Sequence, residues 1–509
     1  MSGYSQFSII QELPVQQESI VMLVGAALDG PSNTPFEIHL NAEAHEVLGK
    51  SPLADAYHAA RQAGANNIMA YRINGTHATA ILKDKDGVEL VELRSVSAAS
   101  KYNDIQVVIY PTHIFVVGLN NTSRSYFFDK VRTTTELIYA INRDAHYGLI
   151  DFTAVGIKDY VPLTGIVDTP TTVFFNGGDD EAHLIPSRDP RSEAPTDIST
   201  SIPTLKERLV NALFGSNERD IQERTPGGEL GALSYGVIAV CDMYHDDDPE
   251  LTEMLGSFCM NKTKDSGSGC IGVIGVKPIF PEVVDEGDEV DFDDTIKTRV
   301  TELVNLSQSL PDTEAYKYVQ VVVGHTGYVK SLENSVSTAY AFAATQSLFR
   351  YHTIMTNKQI SGFGKLNYEI RKEDIALLAS NGYTCIVPSI RRGFVPFYST
   401  SYSKDKESVM ARPHNLRISQ YVSRMISEKL DGLIGNTYSV LSVKAAIEAT
   451  KEELIELVKA KVIKDYELSY EFVSDTYSLN LEVALSTFSE IQAVSSSVTI
   501  SFPKGVTFE

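Results

Sequence analysis

An unbroken apolar run near the start of the chain, Ile20 to Val24, constrains the fold more than any other stretch. A strand is continuously apolar, rather than alternating, when both of its faces are buried, as in the parallel sheets of α/β proteins. A loop from Gly25 to Pro35 follows, then helical stretches ending at Leu48 and Gly64, and a second strand from Ile68 to Ile73. Because helices separate the two strands, the connection is a crossover and the strands are predicted to be parallel.

The next part of the chain changes its pattern twice. Residues 76–160 contain short strands with few helical signals between them, which predicts an inserted β-rich domain; within it, residues 127–140 mix strand and helix signals. Residues 161–400 return to strands that alternate with helices, and together with residues 20–75 they are predicted to form a central α/β domain. The polar residues 1–19 are interpreted as an N-terminal arm. The expected fold class is therefore a multidomain mixture of α/β and α+β.

The last hundred residues change from a helical to an alternating period. Helices are predicted from Leu416 to Leu430 and from Tyr438 to Val462, and two strands follow them. Residues 401–487 are therefore expected to form a C-terminal helix-plus-β-hairpin domain, and residues 488–509 a C-terminal arm. The apolar positions of the predicted hairpin are Leu468, Tyr470, Leu479, Leu481, Val483 and Leu485.

One more alternating strand lies about ten residues beyond the hairpin, at 498–502, with apolar positions Val498, Ile500 and Phe502. It either folds back as a third strand or pairs with a neighbouring molecule by strand addition. The pattern alone leaves both possibilities open. The N-terminal arm also has a weak strand character, which comes from Phe7, Ile9 and Ile10.

The charge balance bears on the class of partner. Acidic residues outnumber basic ones by 66 to 44, a formal net charge of -22, which argues against a nucleic-acid binder. Residues 401–509 hold 12 basic and 15 acidic residues, a net of -3, so the remainder carries -19. No apolar run reaches the roughly 18 residues of a membrane helix. The N-terminus lacks the basic and apolar regions of a signal peptide, so the protein is expected to stay in the cytoplasm where it is made.

The motifs that could carry chemistry are weak. Gly178-Asp179-Asp180 has the letters of a polymerase metal motif, but no strand follows it, and a plain turn is favoured. A metal-dependent α/β enzyme using the two aspartates is the alternative function. The acidic tract 285–294 lacks the glycine and glutamate spacing of an EF-hand. The tract 245–250 is interpreted as exposed surface, and His325 as a satisfied loop residue. The four cysteines have no CxxC spacing and are interpreted as reduced thiols. No catalytic, cofactor or metal site is expected.

Several segments taken together resemble the contractile tail sheath proteins of long-tailed bacteriophages. These motif segments are Val24 to Pro35, with its Gly-Pro-x-Asn-x-Pro loop; Ala44 to Ala56 and Gly64 to Arg72; Ala98 to Ile105; Phe175 to Asp180; Thr356 to Ile360 with Arg392-Gly393; and parts of the stretch from Asn415 to Phe502. Two of them, Ala98 to Ile105 and Phe175 to Asp180, lack a glycine that is usual in the family. The order and spacing of the segments cover almost the whole chain.

The resemblance implies a structural subunit and not an enzyme. Such subunits polymerise as a helical sheath of stacked rings around an inner tail tube, and contraction drives that tube through the host envelope for DNA ejection. The implied partners are further copies of the chain, the inner tail tube protein, and the baseplate and tail terminator proteins, with no nucleic acid, membrane or cofactor. The implied location is the virion tail, after assembly in the host cytoplasm. A phage-like contractile particle that delivers a bacteriocin or toxin is the alternative within this resemblance.

The resemblance also implies roles for the two arms and the C-terminal domain. The arm positions Phe7, Ile9, Ile10, Val498, Ile500 and Phe502 would add strands to adjacent subunits, and the predicted hairpin would receive them. The second C-terminal helix is the candidate tube-facing element through Lys444, Glu448, Lys451, Glu452, Glu456 and Lys459; an ordinary solvated helix face is the alternative. Its core-facing positions are expected to be Val443, Ile447, Leu454, Ile455, Leu457 and Val458.

Overall fold

The computed structural model describes residues 19–39, 42–119, 122–184, 198–215, 226–266, 269–278, 292–326, 336–389, 392–405, 408–431, 440–473 and 478–487. The chain divides into two compact units, Met1–Arg424 and Met425–Glu509. Among the described helices, none has the length and apolar character needed to cross a membrane.

The strands and helices alternate along much of the chain. The strands are β1 (Val21–Gly25), β2 (Pro35–Phe36), β3 (Ile68–Arg72), β4 (Thr79–Lys83), β5 (Glu89–Ser95), β6 (Gln106–Ile109), β7 (His113–Val117), β8 (Ser123–Phe127), β9 (Phe152–Gly156), β10 (Thr171–Phe174), β11 (Val237–Val240), β12 (Ile271–Gly275), β13 (Val319–Val323), β14 (His325–Thr326), β15 (Val336–Ser337), β16 (Tyr383–Ser389), β17 (Gly393–Pro396), β18 (Asp465–Val473) and β19 (Ser478–Ser486). The helices are α1 (Ala44–Leu48), α2 (Pro52–Gln62), α3 (Thr134–His146), α4 (Ile198–Phe214), α5 (Pro249–Ser266), α6 (Phe292–Ser309), α7 (Thr338–Leu348), α8 (Lys372–Ser380), α9 (Pro413–Asp431) and α10 (Val440–Lys459).

An eight-stranded sheet in the order β17-β16-β13-β12-β11-β1-β3-β2 forms the centre of the larger unit. The six inner strands are parallel, and β2 and β17 run antiparallel at the two edges. The predicted parallel pairing of the first two long strands is confirmed by the β1–β3 register, which places Val21 beside Ile68. Alternate residues of β1 enter two different hydrophobic clusters, with Met22 in one and Leu23 in the other. Burial on both faces is therefore the reason for the unbroken apolar run.

A β-rich region of the larger unit has its own core. It contains two antiparallel sheets, β10-β6-β7-β8 and β4-β5-β9, and the helix α3. The stretch whose signals were mixed contains the end of β8 at Phe127 and the start of α3 at Thr134. Thr133 caps that helix by accepting a hydrogen bond from the backbone N–H of Glu136. The expected mixed α/β fold class is confirmed.

The smaller unit contains α10 and the hairpin of β18 and β19. The hairpin pairs nine residues of each strand, from Asp465 opposite Ser486 to Val473 opposite Ser478. The predicted switch from helical to alternating period is therefore confirmed. On α10, Ile447, Leu454 and Leu457 are buried as predicted. Ile455 is 41% exposed, so its predicted core position is wrong. The side chain of Val443 lies outside the described residues.

The packing at β12 gives a test of the central sheet. A Cβ atom at Gly272 would lie 2.7 Å from Cγ of Leu255 on α5. We expect Gly272→Ala to lower the free energy of unfolding by about 1–3 kcal/mol, because overpacking displaces this helix from the sheet. Urea denaturation measures the change. Gly364→Ala is the matched control, since a Cβ atom there meets nothing within 4 Å. Equal midpoints for the two variants would contradict the described packing.

Candidate functional site

Four of the motif segments meet at one buried side chain, Arg72 at the end of β3. Its guanidinium donates hydrogen bonds to the carbonyl oxygens of Gly30 at 3.0 Å, Ala98 at 2.5 Å and Asp180 at 3.0 Å. Its Nε donates to Oδ1 of Asn74 at 3.2 Å. These partners come from the loop after β1, the loop after β5 and the Gly-Asp-Asp turn. We call this set of contacts the Arg72 junction.

The carboxylates near the Arg72 junction help the buried guanidinium to keep its positive charge. Burial lowers the pKa of Arg72 to about 10, and the carboxylates of Asp29, Asp180 and Glu181 oppose that effect. The side chain therefore remains protonated at neutral pH. Gly75 lies so close that a Cβ atom there would meet the guanidinium, and its φ of +85° also favours glycine. The junction thus requires both the arginine and the glycine that follows it.

Two further contacts extend the junction into the β-rich region. The side-chain amide of Asn103 brackets Gly178, since it donates to the carbonyl of Gly178 and accepts from its N–H, both at 2.9 Å. Asp29 accepts hydrogen bonds from the hydroxyl of Ser97 and from the ammonium of Lys101. Residues of the first, third and fourth motif segments are thereby joined to one another.

The Gly-Asp-Asp turn takes part in the junction mainly through its backbone. Asp179 exchanges backbone hydrogen bonds with Thr76 at 2.8 and 3.1 Å. Glu181, which directly follows the turn, accepts from the backbone N–H of Gly75 at 2.6 Å and from both terminal nitrogens of Arg208. Among the residues described, no group of three or more His, Cys, Asp or Glu side chains is arranged to hold a metal ion. The turn connects β10 to the central sheet.

The tract 245–250 was predicted to be exposed, and that prediction is wrong for the side chains of its first three residues, whereas Glu250 is exposed. His245 is fully buried, with its ring nitrogens 2.8 Å from the hydroxyl of Thr252 and 2.9 Å from that of Tyr402. The side chain of Asp246 is 3% exposed and pairs with Arg299, and that of Asp247 is 7% exposed and pairs with Lys277. Both cations come from distant elements of the chain. The acidic run alone therefore gave no sign that its charges are neutralised. Nε2 of His325, which was predicted to be a satisfied loop residue, donates a hydrogen bond to the carbonyl oxygen of Val276 at 2.6 Å, because a carbonyl oxygen can only accept.

The other chemistry candidates are only partly described. Residues 279–291, which include most of the acidic tract 285–294, lie outside the described residues. The four cysteines are buried and free, and the Sγ atoms of Cys259 and Cys270 lie 3.5 Å apart. The prediction of reduced thiols is consistent with that separation, although the spacing of these two residues gave no sign of their proximity.

Comparisons with known proteins give one informative likeness. No family model matches the chain. No curated protein matches it. A sheath tail protein from Listeria innocua, of known crystal structure, is 13% identical and superposes with a TM-score of 0.54, over 94% of this chain and 93% of that chain. The chain has the fold of that sheath tail protein.

Two other solved structures are more distant. A sheath tail protein from Desulfitobacterium hafniense is 11% identical, with a TM-score of 0.47 over 96% of this chain and 100% of that chain. The helical sheath of the anti-feeding prophage in its contracted state is 13% identical, with a TM-score of 0.38 over 60% of this chain and 75% of that chain. At these scores neither structure adds to the assignment of the fold.

The predicted site residues of the C-terminal part fall into three groups. The arm residues Phe7, Ile9, Ile10, Val498, Ile500 and Phe502 lie outside the described residues. The hairpin residues lie on β18 and β19, where the register places Leu468 opposite Val483, and Tyr470 opposite Leu481. Leu479 lies opposite Phe472 and Leu485 opposite Tyr466. The register thus brings together the six predicted hairpin positions.

The candidate tube-facing residues lie along the solvent-accessible side of α10. Lys444, Glu448, Glu452, Glu456 and Lys459 are exposed, and Lys451 is half-buried. Lys451 pairs with Glu448, and Lys459 with Glu456, each at 2.7 Å. Because both pairs lie on the surface, each contributes little to stability.

The buried His245 predicts a pH dependence. Burial lowers its pKa from 6.5 to about 3, so the unfolded chain binds a proton below pH 6.5 that the folded chain does not. Stability is therefore lost as pH falls from 6.5 towards 3, with about 2 kcal/mol lost from this group by pH 5. We expect His245→Gln to reduce the difference in unfolding free energy between pH 7 and pH 5 by that amount.

Denaturant unfolding at the two pH values checks this expectation, with His39→Gln as the control because His39 is exposed. If the His245 variant and the control showed the same pH dependence as the unmodified protein, the buried neutral histidine would be refuted.

Proposed function

We propose that this chain is the structural subunit of a contractile phage tail sheath, which polymerises helically around an inner tail tube. The observation that carries the proposal is the likeness to the Listeria innocua sheath tail protein, which spans nearly all of both chains. The motif segments support it independently, since residues from four of them, including the segment that ends at Arg72, meet at the Arg72 junction. We propose no catalytic role: the turn with Asp179 and Asp180 is engaged through its backbone in connecting two sheets.

The hairpin supports a role for the arms as strands donated between subunits. Within the described part of the chain, β18 and β19 form a two-stranded sheet with no third strand. An isolated two-stranded hairpin is marginally stable in water, and a third strand adds main-chain hydrogen bonds worth roughly 0.5–1.5 kcal/mol each. In this proposal Val498, Ile500 and Phe502 pair with the hairpin of one neighbouring copy, and Phe7, Ile9 and Ile10 make the equivalent contact at the other end.

The exposed row of α10 is the proposed contact with the inner tube protein. The row contains three lysines and three glutamates, so it can pair with a partner surface of mixed charge without a large net repulsion. The baseplate and tail terminator proteins would bind the two ends of the sheath, where subunits lack a neighbour. The contacts between copies would be heterologous, because such contacts do not close and so generate an open helical assembly. Assembly would take place in the host cytoplasm.

One test of this proposal concerns the C-terminal arm. We expect deletion of residues 490–509 to leave a folded subunit that forms no tubes, because the hairpin of each neighbour then lacks its donated strand. Negative-stain electron microscopy measures tube formation, and circular dichroism checks the fold. Tubes of normal length and diameter from the truncated chain would rule out the arm as the connector.

Point variants make the same test without truncation. In an alternating strand, Ile500 and Thr499 have opposite orientations. Ile500→Asp should abolish tubes, whereas Thr499→Asp should allow them, since only the first places a charge on the apolar side. Equal effects from the two variants would argue against strand pairing in this register.

Another test distinguishes the proposed sheath function from that of a metal-dependent enzyme. Replacing Asp179 and Asp180 together with Asn should leave tube assembly and contraction unchanged, because an amide oxygen can still accept the local hydrogen bonds from the backbone N–H groups of Glu181 and Ala182. Tubes of the variant and of the unmodified chain are compared by electron microscopy before and after a contraction trigger. A metal-dependent turnover that disappears in the double variant would instead support the enzyme.

A further inference from the structure

Among the described residues of the sheet β10-β6-β7-β8, one face carries no Asp, Glu, Lys or Arg side chain. Along these strands every second side chain points into the core of the β-rich region, as Val107, Ile114 and Tyr126 do. The other positions point away from that core, because successive side chains of a strand lie on opposite faces. We call this set the uncharged face: Gln106, Val108, Tyr110, His113, Phe115, Val117, Ser123, Ser125, Phe127, Thr172 and Phe174.

The strand register arranges these side chains as a grid of three rows. One row contains Phe174, Gln106, Val117 and Ser123; the next contains Thr172, Val108, Phe115 and Ser125; the last contains Tyr110, His113 and Phe127. The rings of the last row stack, with centroids 4.6 Å apart for Tyr110 and His113 and 5.1 Å apart for His113 and Phe127. Phe127 and Phe174 stand at opposite corners and are 48% and 54% exposed.

The absence of charge distinguishes this face from its surroundings. Asp, Glu, Lys and Arg make up 22% of the chain, yet none of them is among these eleven residues. The outward positions of the neighbouring sheet β4-β5-β9 include Lys83, Glu92 and Arg94, of which Lys83 pairs with Glu89. A face without Lys or Arg offers no counter-charge to phosphate, sulfate or carboxylate groups, so an anionic ligand is disfavoured.

The area of the face argues against a second copy of the chain as its occupant. Four strands about 4.8 Å apart and three rows of side chains cover roughly 300–400 Å². A stable protein interface buries about 800 Å² on each partner, so this face is less than half the size that a dimer requires. Its chemistry suits a smaller neutral ligand. Exposed aromatic rings can pack against the C–H groups of a sugar, and Gln106, Ser125 and Thr172 can hydrogen-bond to its hydroxyl groups.

We propose that the uncharged face binds a neutral polysaccharide. Each site is shallow and its affinity is expected to be weak. If the chain polymerises as proposed above, every subunit presents one such face, and many weak contacts to one polysaccharide act together. Only this gain in avidity depends on the proposed function, since the face lies within a single chain.

Affinity electrophoresis of the full chain tests the proposal. Native gels contain dissolved dextran, galactomannan or hydroxyethyl cellulose, and a gel with dextran sulfate provides the charged comparison. We expect at least one neutral polysaccharide to slow migration and dextran sulfate to have no such effect. Thr172→Glu should weaken the retardation at least tenfold. Thr171→Glu is the control, because it adds the same charge at the neighbouring exposed position, whose side chain points to the other side of the sheet. It should change the retardation less than twofold.

Several results would overturn the proposal. The first is migration that none of the three neutral polysaccharides slows. The second is an equal loss of retardation in the Thr172→Glu and Thr171→Glu variants. The third is a dimer, detected by light scattering, that Thr172→Glu dissociates while migration in the polysaccharide gels stays unchanged. Electron microscopy of the same samples records tube formation separately. A failure to bind polysaccharide with intact tubes would therefore reject this site and leave the sheath function standing.

Discussion

The buried guanidinium of Arg72 is the interaction on which the arrangement of the larger unit depends. A buried cation that loses its partners costs several kcal/mol, so the groups around Arg72 have to be in place together. Those groups belong to the loop after β1, the loop after β5 and the turn after β10. The side chain therefore holds in place both the segment that leads from the central sheet into the β-rich region and the segment that leads back. Asn103 and the pair of Glu181 with Arg208 strengthen the return path.

The sequence predicted the elements of this architecture better than their joints. The run Val21–Val24 indicated a strand buried on both faces, because that property is local to the strand. The sequence marks Arg72 only as the last residue of a motif segment and does not indicate its contacts, because its partners lie up to 108 residues away. The burial of His245 and Asp246 was missed for a related reason: a dense run of acidic residues indicates exposure unless distant cations neutralise it. Arg299 and Lys277 do so here, and no local pattern connects them to that tract.

Exposed strand edges are treated differently in the two units. On β9, Asn142 of α3 both donates to the carbonyl of Ala154 at 2.9 Å and accepts from its N–H at 2.7 Å. A side-chain amide thus occupies an edge where another strand could pair, which is one way proteins prevent unwanted association. The described part of the C-terminal unit shows no comparable contact to β18 or β19, each nine residues long. In the proposed sheath, a covered edge on β9 and a hairpin whose described residues show no such cover would direct strand addition to the hairpin.

The distribution of charge limits how copies of such a chain can associate. Outside residues 401–509 the net charge is -19, so the bodies of adjacent copies repel one another unless contacts with local attraction oppose it. Strand addition supplies such contacts through the backbone, whose hydrogen bonds do not depend on side-chain charge. Under the proposed sheath function, two copies connected in this way would keep the connecting strand paired while their mutual orientation changes. A connection through the main chain and a repulsive acidic body would then be complementary properties of the proposed subunit.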